Sequence, residues 1–124
     1  MENIKKILNG LTEEDYKNNV NLHIHTIESD GKGNWKQILS SAKEKNYKYI
    51  SITDHNTVQV HKEIQNDILI TGVEFDCWYG YVFIHLLAYG IDIGNKEIQP
   101  FLAKNKAETE GAFLRLFSKR NECF

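Results

Sequence analysis

The sequence predicts an α/β domain of about four strands with flanking helices. Apolar, β-branched runs alternate with a helix-period stretch at the spacing of a parallel strand–helix–strand unit. Every candidate metal ligand except His85 falls at or just past the C-terminal end of a predicted strand, the edge where α/β folds gather functional groups. The chain has 124 residues, enough for one modest core and too few for two ordinary domains.

Ile4, Ile7 and Leu8 recur at helical spacing and Gly10 supplies a stop, so a first short helix is expected. Thr12 with Asp15 resembles a capping box for a turn through Lys17. Residues 1–19 thus read as a helical extension, a lid or strap ahead of the main domain at 20–124. Val20 to His25 reads as a strand, and the Gly-rich loop Ser29-Asp30-Gly31-Lys32-Gly33 lets the chain turn back towards its end.

Asn34 can cap a helix from Trp35 to Glu44 whose apolar face is Trp35, Ile38, Leu39 and Ala42, with Asn46 as its stop. Tyr47 to Ile52 is the second strand. Val58 to Gln65 gives a weak helical signal, with Val58, His61, Lys62 and Gln65 on one face. Ile68 to Phe75 is the third strand, Trp78-Tyr79-Gly80-Tyr81 a hairpin turn, and Tyr81 to Tyr89 the fourth strand, ended by Gly90. From Asn95 to Lys119 the spacing of Ile98, Leu102, Ala112, Phe113, Leu116 and Phe117 predicts a helix interrupted or bent near Pro100 or Gly111.

Hydrophobic residues make up 41% and charged residues 26%, ordinary values for a soluble protein, and no apolar run approaches a membrane span. A cytoplasmic address is expected. The two cysteines, Cys77 and Cys123, lack both CxxC spacing and a dense framework, so they read as plain thiols. A formal net charge of -2 provides no basic footprint for a phosphate backbone, which disfavours nucleic acid as the partner. A small phosphorylated substrate held through metal ions needs no such surface.

His23 and His25 sit one residue apart on a strand, so the period of two places both on one face, close enough to share an ion. Asp30 follows in the next loop, His55 ends the second strand, Glu74 ends the third, and His85 lies inside the fourth. Mixed imidazole and carboxylate ligands without thiolate suit zinc, manganese or iron, and a carboxylate such as Glu74 can bridge two ions. Such centres lower the pKa of a bound water and steady the leaving oxygen in displacement at phosphorus, so phosphate-ester hydrolysis is the reaction class.

His23-Ile24-His25-Thr26, Ser29-Asp30-Gly31, Ile52-Thr53-Asp54-His55-Asn56, Gly72-Val73-Glu74 and His85-Leu86-Leu87-Ala88-Tyr89-Gly90 resemble, in order, the first motifs of the PHP (polymerase and histidinol phosphatase) family. The resemblance runs from Val20 to about Asp92. It implies part of a distorted (β/α)7 barrel and a cluster of divalent ions, usually three in a complete site, that hydrolyses phosphate esters. His23, His25 and Glu74 would bind one ion, Glu74 would bridge to a second also held by His85, and Asp30 with His55 would bind the third. Glu74, His55 and Asp54 would act at the reacting centre, Asp54 by orienting or charging a ligand imidazole. Capping of the following helix is the equal alternative for Asp54.

The family's later histidine and terminal Asp-x-His pair have no counterpart, since no histidine follows His85. A full β/α barrel of about 250 residues does not fit either. The chain therefore resembles the N-terminal half of a PHP domain, which leaves open a metal- or phosphate-binding module without turnover, the PHP part of a DNA polymerase, self-association, or pairing with a C-terminal half. His61, outside the family pattern, is expected to face solvent. Lys32 is expected to be solvated, and the hairpin aromatics Trp78, Tyr79, Tyr81 and Phe83 to pack against neighbours rather than stack on bases.

Overall fold

The strand–helix–strand unit forms where the pattern places it, and a hairpin extends it. The computed structural model describes residues 3–122, with side chains described through residue 112. In chain order the elements are α1 (Ile4–Gly10), a π-helical turn (Asp15–Asn19), β1 (Val20–Ile24), α2 (Trp35–Glu44), β2 (Tyr49–Ile52), α3 (Gln59–Glu63), β3 (Leu69–Tyr79), β4 (Val82–Tyr89) and α4 (Ile98–Glu122). The sheet order is β1-β2-β3-β4, parallel through β3 and antiparallel between β3 and β4.

Asn34 begins α2 with a full capping box: its side chain accepts from Gln37 N at 3.0 Å and Gln37 Oε1 accepts from Asn34 N at 2.9 Å. The helix ends where Asn46 turns left-handed at φ 59°. Its apolar face and α3 cover one side of the sheet, where Ala42, Ile50, Ile52, Val60 and Leu69 form a buried cluster. A second cluster joins Leu102 of α4 to Val58 and Val73. The expected interruption of α4 is absent. Pro100 is its third residue, and first-turn N–H groups have no intrahelical acceptor, so the ring costs the helix nothing there. The face built on Phe113, Leu116 and Phe117 lies outside the described side chains, as Cys123 lies outside the described residues.

The hairpin also differs from expectation. Trp78 and Tyr79 belong to β3, and only Gly80 and Tyr81 form the turn, with Tyr79 paired to Val82. Gly80 at φ 61° supplies the positive angle that a two-residue hairpin turn needs at its first position. Consequently Glu74 does not end its strand; it lies where the parallel ladder gives way to the hairpin arm. Three strand spacings separate β1 from β4, about 14 Å in a flat sheet. Yet the Tyr89 hydroxyl donates to Leu22 O at 2.6 Å, so the sheet is curled around the face that carries no helix.

The N-terminal extension is tied to this sheet. Asp15 and Thr12 exchange capping hydrogen bonds of 3.0 and 3.1 Å, and the Asp15 carboxylate also meets Lys48 Nζ at 2.7 Å and Asn19 Nδ2 at 2.9 Å. The Lys48 bond foremost holds the Asp15 carboxyl well below the usual carboxylate range. Among the described residues, no helix is long and apolar enough to cross a membrane.

His61, expected in solvent, is instead 3% exposed. It sits between β2 and β3, with Nε2 2.7 Å from Ile52 O and 3.2 Å from Gly72 N. It lies between Val60 and Lys62 in a helix too short to show a period, so sequence could not fix its orientation. Burial lowers its pKa and keeps the ring neutral. The unfolded chain, with a histidine pKa of about 6.5, therefore takes up this proton first as pH falls, and stability is lost below that value. Wild type should hold a larger stability advantage over His61→Phe at about pH 7.5 than at about pH 5.5. Urea melts of both proteins at the two pH values measure this, and an unchanged gap would contradict it.

Candidate metal centre

Alternation along the strands sends one set of side chains to the open face. His23 and His25 share that face at the end of β1, ring centroids 5.0 Å apart. Thr53 N donates to Ile24 O at 2.7 Å, which keeps the ends of β1 and β2 level. An isolated parallel bridge between His55 and Glu74 then carries the ladder beyond β2. In it Glu74 N donates to Asp54 O at 3.1 Å and Asn56 N to Glu74 O at 2.9 Å. Four imidazoles result in a row, with His25 4.4 Å from His55 and His55 5.8 Å from His85.

Glu74 lies beneath them, 3% exposed. Its Oε1 is 2.7 Å from His23 Nε2 and 3.7 Å from His25 Nε2. Its Oε2 is 3.4 Å from His55 Nδ1 and 3.8 Å from His85 Nδ1. Three overlapping sets have ligand atoms within 4.8 Å of one another: His23, His25 and Glu74; His25, Asp30 and His55; and His55, Glu74, Asp76 and His85. All six residues expected as ligands are brought together. The donors are imidazole nitrogens and carboxylate oxygens, a set that fits divalent zinc, manganese or iron. Cys77 is a free thiol whose place in β3 alternates away from this face.

Asp30 reaches the row from the loop after β1, with Oδ1 2.6 Å from His25 Nδ1 and Oδ2 3.3 Å from His55 Nε2. The loop closes because Gly31 N donates to Thr26 O at 2.8 Å, and a methyl group at Gly31 would overlap the His25 carbonyl. The His25 hydrogen bond lowers the Asp30 pKa. Burial opposes a proton on His55, but the Asp76 hydrogen bond and the charges of Asp76, Glu74 and Asp30 outweigh it and raise its pKa. A divalent ion must therefore compete with a proton at His55.

Asp54 plays neither of its two expected parts. Its carboxylate, 2% exposed, accepts from Thr26 N at 2.7 Å, Thr26 Oγ1 at 2.8 Å and Ser29 Oγ at 2.8 Å. Among the described residues it is hydrogen-bonded to no imidazole, and the N-cap of α3 is Val58, with no side-chain cap hydrogen bond. Asp54 is the clasp that folds the loop bearing Asp30 against the strand ends.

Asp76 is the residue that sequence reasoning missed. Its Oδ1 lies 2.9 Å from His55 Nδ1 and 2.7 Å from His85 Nδ1. The signal was its position two residues after Glu74, hence on the same face of any strand that continues past Phe75. Farther along the hairpin, Phe83 packs edge-on to His85 at 4.9 Å and against Trp78 at 5.3 Å, as expected of aromatics in contact. Tyr79 and Tyr81 depart from that expectation, being 80% and 101% exposed at the hairpin tip, where no strand remains to cover them.

The sequence pattern of the PHP domain matches residues 21–116. The 5'-3' exoribonuclease Rnm of Salmonella typhimurium is 30% identical over 121 residues, covering 91% of this chain and 41% of that protein. A candidate metal-dependent phosphoesterase from Bifidobacterium adolescentis superposes with a TM-score of 0.65 at 25% identity, over 72% of this chain and 33% of that one. An amidohydrolase from Chromobacterium violaceum, solved with sulfate and no metal, superposes with a TM-score of 0.64 at 23% identity, over 69% of this chain and 32% of that one. The four strands and their helices are thus part of the barrel architecture of these structures. The chain spans about two-fifths of the curated relative's length.

Removing the Asp54 clasp should loosen the centre as well as the fold. Asp54→Ala leaves two buried Thr26 donors and the half-buried Ser29 hydroxyl without their acceptor, each buried one worth about 1–3 kcal/mol when unsatisfied. We expect a lower melting temperature and a smaller rise of that temperature on adding Mn2+, read by thermal melts with and without the ion. A variant that melts early yet keeps the full metal-induced rise would show that the clasp does not serve the ligands.

Proposed function

The chain belongs to the PHP domain family, and on that premise we propose that it provides the metal-holding strand edge of a metal-dependent hydrolase acting on a phosphate ester. The observation that carries this reading is the division of the buried Glu74 carboxylate, one oxygen facing the His23–His25 pair and the other facing His55 and His85. A carboxylate so placed is set to bridge two ions. His23 and His25 would hold the first with Glu74, His85 would hold the second, and Asp30 with His55 would hold a third. The chemistry that divalent ions supply at such a centre is activation of water and neutralisation of charge at phosphorus.

The chain's own residues contribute orientation. The parallel bridge fixes Glu74 and His55 relative to each other, and the Asp54 clasp holds Asp30 over the row of imidazoles. Open-face Phe83 and Trp78 wall the side next to His85. Support for the bond class comes from the relatives, one named an exoribonuclease and one a candidate metal-dependent phosphoesterase.

The test is hydrolysis of bis(p-nitrophenyl) phosphate, p-nitrophenyl phosphate and a 5'-phosphorylated oligoribonucleotide by the purified chain with Mn2+ or Zn2+. Turnover of at least one ester should stop on chelation and fall at least about 100-fold in Glu74→Gln, the scale of losing one well-placed electrostatic group. Metal bound with full stoichiometry and no turnover of any ester would replace the enzyme with a binding module.

A further inference from the structure

We propose that Asp76 is a positioning residue of this centre: it receives the Nδ1–H of His55 and so leaves the Nε2 lone pair of that ring for an ion. The proposal rests on the metal-dependent reading above. Asp76 lies outside every motif that carries the family resemblance, so nothing in that pattern assigns it a role.

The argument starts from the two nitrogens of His55. A neutral imidazole has one N–H and one lone pair. Nε2 faces Asp30 Oδ2 at 3.3 Å, and an ion shared by these two residues requires the lone pair at Nε2. The proton then sits on Nδ1, where Asp76 Oδ1 is the nearer carboxylate oxygen, 2.9 Å away against 3.4 Å for Glu74 Oε2. Ligand histidines commonly donate their second N–H to a carboxylate in this way, which fixes the tautomer and makes the ring a stronger donor to metal.

The same oxygen also faces His85. Asp76 and His85 are directly opposed in the β3–β4 register, and their Oδ1 and Nδ1 atoms are 2.7 Å apart. A carboxylate oxygen has two lone pairs, so one atom can accept both bonds.

The backbone of Asp76 is held by three other residues. Its carbonyl accepts from Thr109 Oγ1 at 2.6 Å and Asn105 Nδ2 at 3.0 Å, both on α4. Its N–H donates to Asn56 Oδ1 at 3.3 Å, an atom that also accepts from Asn105 at 2.6 Å. Neither α4 contact reaches an imidazole or Glu74. The helix braces the carboxylate that orients His55, which is the arrangement a precise site requires.

The test uses the full chain and Zn2+ alone, so that it does not depend on turnover. Titration calorimetry should give Asp76→Asn the wild-type stoichiometry with affinity weakened about 10- to 100-fold, and Asp76→Ala a larger loss. The exposed carboxylate variant Asp67→Asn should match wild type. In the zinc-loaded wild type, 15N spectra of labelled histidine should show protonated Nδ1 and metal-bound Nε2 at His55, a readout that survives even if a variant fails to fold.

Unchanged affinity in a folded Asp76→Ala would overturn the proposal. So would a stoichiometry reduced by one, which would make Asp76 a ligand, or an Nε2–H tautomer at His55. A wild-type chain that binds no zinc would overturn the phosphoesterase reading along with it, whereas zinc bound as described without ester hydrolysis would overturn that reading alone.

Discussion

The arrangement of this molecule follows from burying one carboxylate. Glu74 is 3% exposed, and an ionised group taken out of water costs several kcal/mol unless partners replace its hydration. Four imidazoles, from the end of β1, the segment just past β2 and β4, provide those partners, and they converge because the sheet curls around its open face. Backbone and side chain cooperate here. The Glu74 N–H and carbonyl both belong to the bridge with residues 54 and 56, so the ladder that extends past β2 also fixes the direction of the carboxylate.

Around that centre the chain departs from ordinary local preferences at a few places, each with an identifiable cause. Asn56 adopts φ 52° so that the segment after His55 can turn while its amide stays on Glu74 O. Asparagine tolerates that region better than most residues, and its side chain there binds Asp76 N. Asp54 is a buried carboxylate, but it accepts three hydrogen bonds, and through them it folds the Asp30 loop back over His25. Gly31 makes that return possible by leaving room for the His25 carbonyl. These departures collect at the edge that holds the ligands, while the helix-covered face is packed from regular elements.

Much of this was legible in the sequence because it depended on short spacings. One intervening residue on a strand put His23 and His25 on one face, and strand ends brought Asp30 and His55 to one edge. Capping chemistry at Thr12 and Asn34 was equally local. What sequence could not give depended on contacts made only in the folded chain. Asp54 has the same neighbours in sequence whether it caps a helix, orients a histidine or ties down a loop. His61 sits in a helix of five residues, too short to reveal which side meets the sheet. Asp76 was lost for another reason: placing the turn at Trp78 to Tyr81 cut the strand short, and a shorter strand hides the residue two beyond Glu74.

The hairpin turn therefore bears on the metal centre although it lies well away from it. A two-residue turn at Gly80 and Tyr81 pairs Tyr79 with Val82, and counting back from that pair opposes Asp76 to His85 and Glu74 to Leu87. With a strand period of two, a shift of one residue would send His85 to the face occupied by Ile84 and Leu86 and bring Leu86 beside Asp76. The positive φ of Gly80 is thus as much a requirement of the centre as the imidazole it helps to place. Only the β3–β4 pair has this dependence. His23, His25 and His55 are positioned by parallel strands whose register is set through the packing of α2 and α3, so the ligand set is assembled by two separate mechanisms that meet at Glu74.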